Sequence, residues 1–438
     1  MLALEAGMIF ILTNFNDLSI FFRSDGTEYQ RLVKNIINNG EFSLDKQTPF
    51  VPTDYRTPGY PFWLAFIYII FKSFTPAIFI GAVAFAVSAP LVYLIGKEIF
   101  EEKIAFWSAI LFAIEPWAIF QGGFLAAEQI FLPFLLFSIY FFCKYLNSEN
   151  NYYLYCASLF LGFTALIRPA ALYFILIFAI LSLILGKKKY FFGSFKTSIL
   201  TVLIFLAVLS PWLIRNKIVL GTWQMSSGAS NGVIYIESWA LNKYLGKIGD
   251  EHEWEKAAQI LETRDYESMK RVENAKILAD YGIKEIKANK IAFVTMHLKS
   301  MALFFIRNSY GNIFLDLKIK NSDIQSKIGS FVFKKDFKGI LNLIENTSIG
   351  SKFLLPLLLF WPTITILAIL GIFNMFRGGY SNIFFWFLVL WVLYFPALLS
   401  DLLDESRYKL SISAPLFMLA VAGFYKLKDY FFNYDNRI

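Results

Sequence analysis

Acidic residues that could do chemistry are densest in one short stretch near the start of the chain, Ser24-Asp25-Gly26-Thr27-Glu28-Tyr29. The stretch follows the first apolar segment, so Asp25 is predicted to lie where the chain leaves a membrane. Ionisable groups at such a place are costly to bury and need a reason. A carboxylate there could belong to a functional site, or it could simply cap or charge the first turn of the following helix. Asp25 alone does not decide between the two.

A second polar group, Asp54-Tyr55-Arg56-Thr57-Pro58-Gly59-Tyr60-Pro61, stands just before a short apolar run. The planar guanidinium of Arg56 is suited to holding a phosphate. The same side chain could instead extend to a lipid headgroup at the membrane surface. A single basic residue leaves both interpretations open.

Further charged residues mark the ends of later apolar segments. Glu128 opens one of them, where an acid in the first turn of a helix is favourable by itself, and a role in a site is the alternative. The others are Arg168, Arg215 and the stretch Asp404-Glu405-Ser406-Arg407-Tyr408. All of these groups are predicted to face the same side of the membrane. This convergence predicts an outward-facing functional site.

The composition predicts the kind of protein that must hold these residues. Of 438 residues, 57% are hydrophobic, 19% are aromatic and only 17% are charged, whereas about a quarter of a soluble domain is charged. These values exclude a disordered chain, a disulfide scaffold and an ordinary cytosolic enzyme. Two His and two Cys argue against a zinc site built from several of these residues. The net charge of +8 is interpreted as the positive-inside bias of a membrane protein, with no nucleic acid as partner.

Runs without Asp, Glu, Lys or Arg predict the membrane spans, because a helix needs about 20 residues to cross a bilayer. A first, shorter span that carries Glu5 is added, and its start is expected to be missing from the sequence. The ten predicted spans are residues 1–13, 73–96, 104–120, 129–143, 150–167, 169–186, 197–214, 353–376, 378–400 and 410–425. The chain is therefore predicted to be an all-α, polytopic membrane protein.

The four lysines of 186–196 orient the spans, because loops rich in Lys and Arg stay in the cytoplasm. Both termini are then cytoplasmic, and the site faces the outside of the plasma membrane. Residues 57–71 begin with two prolines and are too short to fit this alternation as a span, so they are predicted to lie in the outer interface. Residues 291–306 are a second candidate for a helix lying on the membrane.

Three regions follow from this arrangement. Residues 1–216 form a transmembrane module that includes a first outer loop, 14–75, and residues 353–438 form the C-terminal transmembrane helices. Between them, 217–352 is an outer loop region, mostly helical, with apolar residues at helical spacing over 251–290. In the first outer loop a helix is predicted after Tyr29, with its apolar residues on one face.

The order of several motifs resembles the GT-C class of integral-membrane glycosyltransferases. The chain is most similar to the broad family that contains the protein O-mannosyltransferases, the lipid A aminoarabinose transferases and the RgtA/B/C/D-like bacterial sugar transferases. The motifs that carry the resemblance are Ser24-Asp25-Gly26-Thr27-Glu28-Tyr29, Gly40-Glu41-Phe42 and Arg56-Thr57-Pro58-Gly59-Tyr60-Pro61, supported by Tyr93 to Phe100, Ala127-Glu128, Leu166 to Pro169, Pro211 to Asn216 and Glu405 to Tyr408. The resemblance covers residues 1–216 well and 217–352 weakly.

The resemblance implies a GT-C-like bundle of about ten transmembrane helices with interfacial helices, and an inverting transfer of a monosaccharide from a polyprenyl phosphate to an acceptor hydroxyl. The leaving phosphate needs positive charge, and the hydroxyl needs a base. The matching position for the base is Asp25, with Arg56 and then Arg407 as donor phosphate contacts. Substrate-positioning roles are expected for Glu28, Tyr29, Tyr60 and Glu128.

The expected partners are a polyprenyl-phosphate-linked sugar, a lipid, glycan or protein acceptor, and membrane lipids. No cofactor is expected, no metal-binding group is visible in the sequence, and a divalent ion stays open because some GT-C enzymes use one. One alternative is an O-antigen polymerase or ligase that uses a diphosphate-linked glycan. Another is a lipid or solute transporter, although transporters tend to have internal repeats and charges at mid-membrane.

Overall fold

The computed structural model describes residues 1–14, 24–186, 191–249, 252–263, 265–307, 310, 354–377, 382–399 and 405–432. Every regular element in these ranges is a helix, which confirms the predicted all-α class. The helices are rich in Leu, Ile, Phe and Ala, and most carry too few charges to present a polar face to water. The chain is thus a multi-pass membrane protein.

The described residues up to 220 form eleven helices. They are α1 (Leu2–Asn14), α2 (Ser24–Asn39), α3 (Gly59–Phe71), α4 (Thr75–Ala86), α5 (Ser88–Ile99), α6 (Glu102–Ile114), α7 (Pro116–Gly122), α8 (Glu128–Ser148), α9 (Asn151–Ile167), α10 (Ile175–Gly186) and α11 (Phe191–Leu220). A short 3-10 helix, Pro169–Phe174, leads into α10.

The described residues after 220 form eight further helices. They are α12 (Val233–Tyr244), α13 (Glu253–Leu261), α14 (Tyr266–Met269), α15 (Val272–Ala288), α16 (Lys290–Ile306), α17 (Leu354–Arg377), α18 (Asn382–Leu399) and α19 (Glu405–Phe432). A π-helical turn, Gly228–Gly232, precedes α12.

Within the described ranges, five helices are long and apolar enough to cross a membrane. They are Thr75–Ile99, Glu128–Ser148, Gly193–Leu220, Leu359–Arg377 and Tyr408–Lys428. A sixth span results if α6 and α7, which meet at a 60° bend, are counted as one. The predicted number of ten is therefore not confirmed.

Four apolar helices of 10–17 residues account for much of this difference. They are Gly59–Phe71, Asn151–Ile167, Pro169–Leu185 and Ile383–Leu399. Asn151–Ile167, Pro169–Leu185 and Ile383–Leu399 were predicted as spans. Each is slightly shorter than the roughly 20 residues of a typical crossing helix. The other is α3, which has 13 residues and exposes apolar side chains such as Phe66, 65% exposed. Its length agrees with the predicted position in the membrane interface.

The long helices pack closely where small residues let their backbones approach. At Gly371 of α17 and Gly423 of α19, an added Cβ would overlap the backbone of the facing helix. Glycine is therefore required at this crossing, as is common between membrane helices. The buried face of α19 also contacts α6, α7, α8 and α18, so this last helix lies in the middle of the bundle.

The outer region has a small core of its own. Tyr235, Ala257, Met269 and Leu278 are buried together, and they come from α12, α13, α14 and α15. The Tyr235 hydroxyl donates a hydrogen bond of 2.6 Å to the carbonyl of Glu253. The helices predicted over 251–290 are thereby confirmed. They form a compact unit that lies against the first outer loop.

The first outer loop contains α2 and a long stretch without regular secondary structure. The predicted apolar face of α2 is confirmed, because Leu32 and Val33 are completely buried. The Asn35 side chain then fixes the following stretch by donating to the carbonyls of Ser43 and Asp45, at 2.8 and 3.0 Å. This stretch brings residues 53–57 back beneath the start of α2.

Candidate active site

Asp25 occupies the first turn of α2, where an acid is favoured by the helix dipole. Its Oδ1 accepts a hydrogen bond of 2.5 Å from Nη2 of Arg56, a residue 31 positions away in the sequence. The Asp25 side chain is 23% exposed, so the carboxylate can still be approached from solution. The two open interpretations of Asp25 are therefore compatible, since it charges a helix terminus and also takes part in a side-chain cluster.

Arg56 joins both acids of the first-loop motif. Its Nε donates to Oε2 of Glu28 at 2.8 Å, and its Nη2 lies 2.6 Å from the same oxygen. The guanidinium also lies 5.4 Å from the Tyr29 ring and 5.3 Å from the Tyr55 ring, within cation–π range. Burial lowers the pKa of Arg56, but the nearby Asp25 and Glu28 raise it well above its ordinary value. Arg56 is thus a fixed positive charge already engaged by two carboxylates.

Lys270, which lies between α14 and α15, completes this cluster. Its Nζ lies 2.5 Å from Oε1 of Glu28, although the two residues are 242 positions apart. The side chain of Lys270 is only 2% exposed. No pattern around Met269-Lys270-Arg271 marks it in the sequence, and Lys270 is absent from the predicted site residues. The cluster is a linear alternation of charges, Lys270, Glu28, Arg56 and Asp25, with a net charge of zero.

Two buried tyrosines connect this cluster to a second one. The rings of Tyr29 and Tyr60 meet edge to face, with centroids 4.6 Å apart. Burial raises the pKa of Tyr29 to about 12, with smaller contributions from the charges of Arg56, Asp25, Arg168 and Glu128. Tyr29 therefore stays protonated at neutral pH, and its uncharged side chain lies between the Arg56–Asp25 pair and the Arg168–Glu128 pair.

The second cluster is the ion pair between Glu128 and Arg168. Oε1 of Glu128 accepts a short hydrogen bond from Nη1 of Arg168, and the two side chains are 5% and 16% exposed. The Arg168 guanidinium also lies 5.8 Å from the Phe131 ring and 4.9 Å from the Tyr408 ring. Glu128 is therefore paired with a basic residue, and its expected role in positioning the substrate stays a prediction.

The last outer stretch reaches the same area through α19. Tyr408 covers Arg168, as described above, and the next residue, Lys409, is buried and donates a short hydrogen bond to the carbonyl of Arg307. Arg407 belongs to α19, but its side chain lies outside the described part of the chain. Its predicted contact with the donor phosphate stays a prediction.

An apolar cavity of about 780 Å³ lies beside these clusters. Its walls come from the end of α2 and from α3, α8, α9 and α11, and Pro58 and Gly59 border it two and three residues after Arg56. Among the described residues that line it, only Glu41 and Arg215 are charged. The cavity therefore offers a hydrophobic chamber with one cation in its wall.

Arg215 is held by the same stretch that carries Arg56. Its Nη1 donates to the carbonyl of Thr53 and to Oδ1 of Asn216, both at 2.9 Å. The guanidinium packs on the rings of Trp212 and Phe42, with distances of 4.9 and 5.6 Å. Nε and Nη2 make no hydrogen bond to the residues that the structure describes. Arg215 was noted in the sequence as part of a motif, but not as a site residue.

Asp54 is a completely buried acid close to Arg215. Burial raises the pKa of its carboxyl group, and the neighbouring Ser227 and the charge of Arg215 lower it by less. Within the described ranges, no hydrogen bond of normal length reaches either carboxylate oxygen of Asp54. Asp54 is thus a buried acid beside Arg215 whose charged form is disfavoured by burial.

No group of three or more His, Cys, Asp or Glu side chains in the described ranges could hold a metal ion. The structure brings five of the predicted site residues into contact or near contact: Asp25, Glu28, Tyr29, Arg56 and Tyr60. Glu128 lies beyond the two tyrosines, paired with Arg168.

Comparison with known proteins gives one family. Residues 55–214 match the family described as dolichyl-phosphate-mannose-protein mannosyltransferase. No curated protein is similar in sequence across the chain. The matched segment begins next to Arg56 and ends next to Arg215, so it contains the walls of the cavity from α3 to α11.

Two solved structures of the oligosaccharyltransferase from Archaeoglobus fulgidus are similar to this chain. One, tethered to an acceptor peptide with the NVT sequon by a disulfide bond, has 15% identity and a TM-score of 0.46, over 93% of this chain and 46% of that one. The other, named AglB and bound to an inhibitory peptide and a dolichol-phosphate, has 16% identity and a TM-score of 0.42, over 94% and 47%. This chain spans about half the length of the structures that it matches. Over residues 55–214 it is similar to the mannosyltransferase family, a GT-C family, and the resemblance to GT-C glycosyltransferases predicted from the motifs is confirmed.

Proposed function

We propose that this protein transfers a monosaccharide from a polyprenyl phosphate to an acceptor hydroxyl on the outer face of the plasma membrane, with Asp25 as the general base. The observation that carries the proposal is the Asp25 carboxylate, which Arg56 holds at 2.5 Å beside an apolar cavity. The family match supports the same class of reaction.

The reaction needs one proton transfer and one displacement. The acceptor oxygen attacks the anomeric carbon, and its proton passes to the Asp25 carboxylate. The bond between that carbon and the phosphate oxygen breaks, and polyprenyl phosphate leaves with the bonding electrons. Because the attack comes from the face opposite the leaving group, the configuration at the anomeric carbon is inverted.

Arg56 has a supporting role in this proposal. Its guanidinium is already engaged by Asp25 and Glu28, so its charge is largely balanced before any phosphate binds. It fixes the orientation of the Asp25 carboxylate, which a general base needs in order to reach the acceptor hydroxyl. This differs from the phosphate contact expected from the sequence.

Arg215 is the better-placed donor phosphate contact among the described arginines. Its Nε and Nη2 are available within the described ranges, and its charge lies in the wall of the apolar cavity. A polyprenyl phosphate has an apolar chain and a charged end, so the cavity suits its chain and Arg215 suits its phosphate. Arg407 stays a further predicted contact.

Release of polyprenyl phosphate by the purified, detergent-solubilised protein tests the proposal. A panel of polyprenyl-phosphate sugars is offered with candidate lipid, glycan and peptide acceptors, and the wild type is compared with Asp25→Asn. Removal of a general base is expected to lower the rate by about 10² to 10⁴-fold. Asp280→Asn, which changes an exposed acid on α15, is the matched control and should keep the wild-type rate.

The possible outcomes test the role of Asp25 as the base separately from the transferase activity. Loss of release in Asp25→Asn, with the thermal unfolding curve of the wild type, supports both. Equal release from both proteins removes Asp25 from the mechanism but keeps the transferase. Absence of release from every donor and acceptor pair contradicts the proposed function and favours a polymerase or a transporter.

A further inference from the structure

Lys270 is a buried cation with an unusual origin. It lies between α14 and α15 of the outer region, whereas its partner Glu28 lies in the first outer loop. Met269, the preceding residue, belongs to the small core of the outer region, so the backbone at Lys270 is fixed by packing. The ammonium group also lies 5.5 Å from the Tyr55 ring. A buried lysine is costly unless it is paired, and here the pair is made with the candidate active site.

The two oxygens of Glu28 serve different cations. Oε1 accepts from Lys270, and Oε2 accepts from Arg56. Nη2 of Arg56 is in turn shared between Glu28 and Asp25. Without the charge of Lys270, Glu28 would lose one of its two cations, and it would compete more strongly with Asp25 for the Arg56 guanidinium.

We propose that Lys270 is a positioning residue of the active site: it balances Glu28, so that Arg56 keeps the Asp25 carboxylate in its reactive orientation. The inference rests on the proposed function and adds to it a contribution from the outer region. The outer region thereby supplies one of the four charges on which the geometry of the base depends.

A neighbouring ion pair distinguishes this positioning role from a role in merely holding the outer region against the first outer loop. Arg271 also joins the outer region to the first outer loop, since its Nη2 lies 3.7 Å from Oδ1 of Asp45. Its side chain is 47% exposed, and Asp45 is not in contact with Asp25 or Arg56 through any described hydrogen bond. Lys270 and Arg271 thus make ion pairs between the same two parts of the molecule, but only Lys270 reaches the charge alternation. Arg271→Met is therefore a matched control.

The test compares kcat and the KM for the donor in four proteins: the wild type, Lys270→Met, Arg271→Met and the double variant Lys270→Met/Glu28→Gln. Activities are expressed per folded molecule, from size-exclusion chromatography and thermal unfolding. Lys270→Met should lower kcat on the order of 100-fold with little change in KM, because misplacement of a reacting group affects the chemical step. Arg271→Met should keep the wild-type kcat.

The double variant decides between charge balance and structure. It removes one positive and one negative charge, so Glu28 no longer competes with Asp25 for Arg56, and most of the kcat lost in Lys270→Met should return. Because kcat is expressed per folded molecule, a lysine with a merely structural role would change the folded fraction and the unfolding temperature but not this kcat. Either a wild-type kcat in folded Lys270→Met or a double variant no better than Lys270→Met overturns the inference, while the transferase stands. A wild type without activity on any donor contradicts the proposed function and the inference together.

Discussion

Replacement of Arg215 by Gln is expected to weaken the binding of polyprenyl phosphate. The substitution removes the cation from the wall of the apolar cavity and leaves a shorter, neutral polar side chain. Nη1 of Arg215 is used by the carbonyl of Thr53 and by Asn216, which leaves Nε and Nη2 to contact a phosphate. The walls of the cavity are otherwise unchanged, so the apolar contribution of the lipid chain should persist.

The size of the effect follows from the number of contacts. Hydrogen bonds to a charged group contribute about 1.5–3 kcal/mol, and one such contact is expected to be lost, because Gln can still donate one N–H. Since 1.4 kcal/mol corresponds to a factor of ten, the Kd for polyprenyl phosphate should rise roughly 10- to 150-fold. The Kd for the matching polyprenol, which has no phosphate, should not change.

The assay is equilibrium binding of a labelled polyprenyl monophosphate to the purified protein in detergent. Lys217→Gln is the control, because Lys217 is a cation on the same helix that is exposed and does not line the cavity. An Arg215→Gln Kd within twofold of the wild type would refute the assignment. A loss of affinity in Arg56→Gln instead would return the phosphate contact to the residue expected from the sequence.

Two further outcomes are expected for stability. Arg168→Met should lower the free energy of unfolding by about 3–5 kcal/mol, since it removes the arginine that pairs with the buried Glu128 carboxylate. The check is thermal unfolding of Arg168→Met beside Arg168→Met/Glu128→Gln. The double variant should be the more stable of the two. Gly59→Ala should destabilise the contact between α3 and α9, because a Cβ at Gly59 would come within 2.8 Å of the backbone of Leu166. Gly249→Ala, where a Cβ meets nothing within 4 Å, should unfold at the wild-type temperature.

The sequence predicts the helices of this protein better than their number in the membrane. Apolar runs determine where a helix forms, because few charges can be buried in lipid. Whether a run crosses depends on a few residues at its ends, and α9 illustrates this with 17 residues between Asn150 and Arg168. The prediction of ten spans treats such helices as complete crossings. Among the residues that the structure describes, five helices, or six with the bent pair, have the length and composition to cross a membrane.

For the candidate site, the sequence indicates individual residues but not which of them come into contact when they are far apart along the chain. The motif around Asp25 and the arginine at 56 could be selected from the sequence, since residue types suited to base and phosphate chemistry stand in a familiar order. Their contact could not be derived, because a separation of 31 positions along α2 and the irregular stretch after it gives no distance. Lys270 has no signal at all, since a lysine followed by an arginine in a polar region is ordinary. Only the packing of Met269 into its small core brings Lys270 to Glu28.

The ion pair between Lys270 and Glu28 also has a consequence for how the protein is made. A ribosome adds about 5–20 residues per second, so the 242 positions between the partners correspond to roughly 12–50 s of synthesis. During that time Asp25, Glu28 and Arg56 have already been synthesised, whereas Lys270 has not. The candidate active site therefore acquires its fourth charge only after α12 to α15 have been synthesised and have packed together. Completion of the candidate site is in this way a late event in biogenesis, even though most of its residues are among the first to emerge.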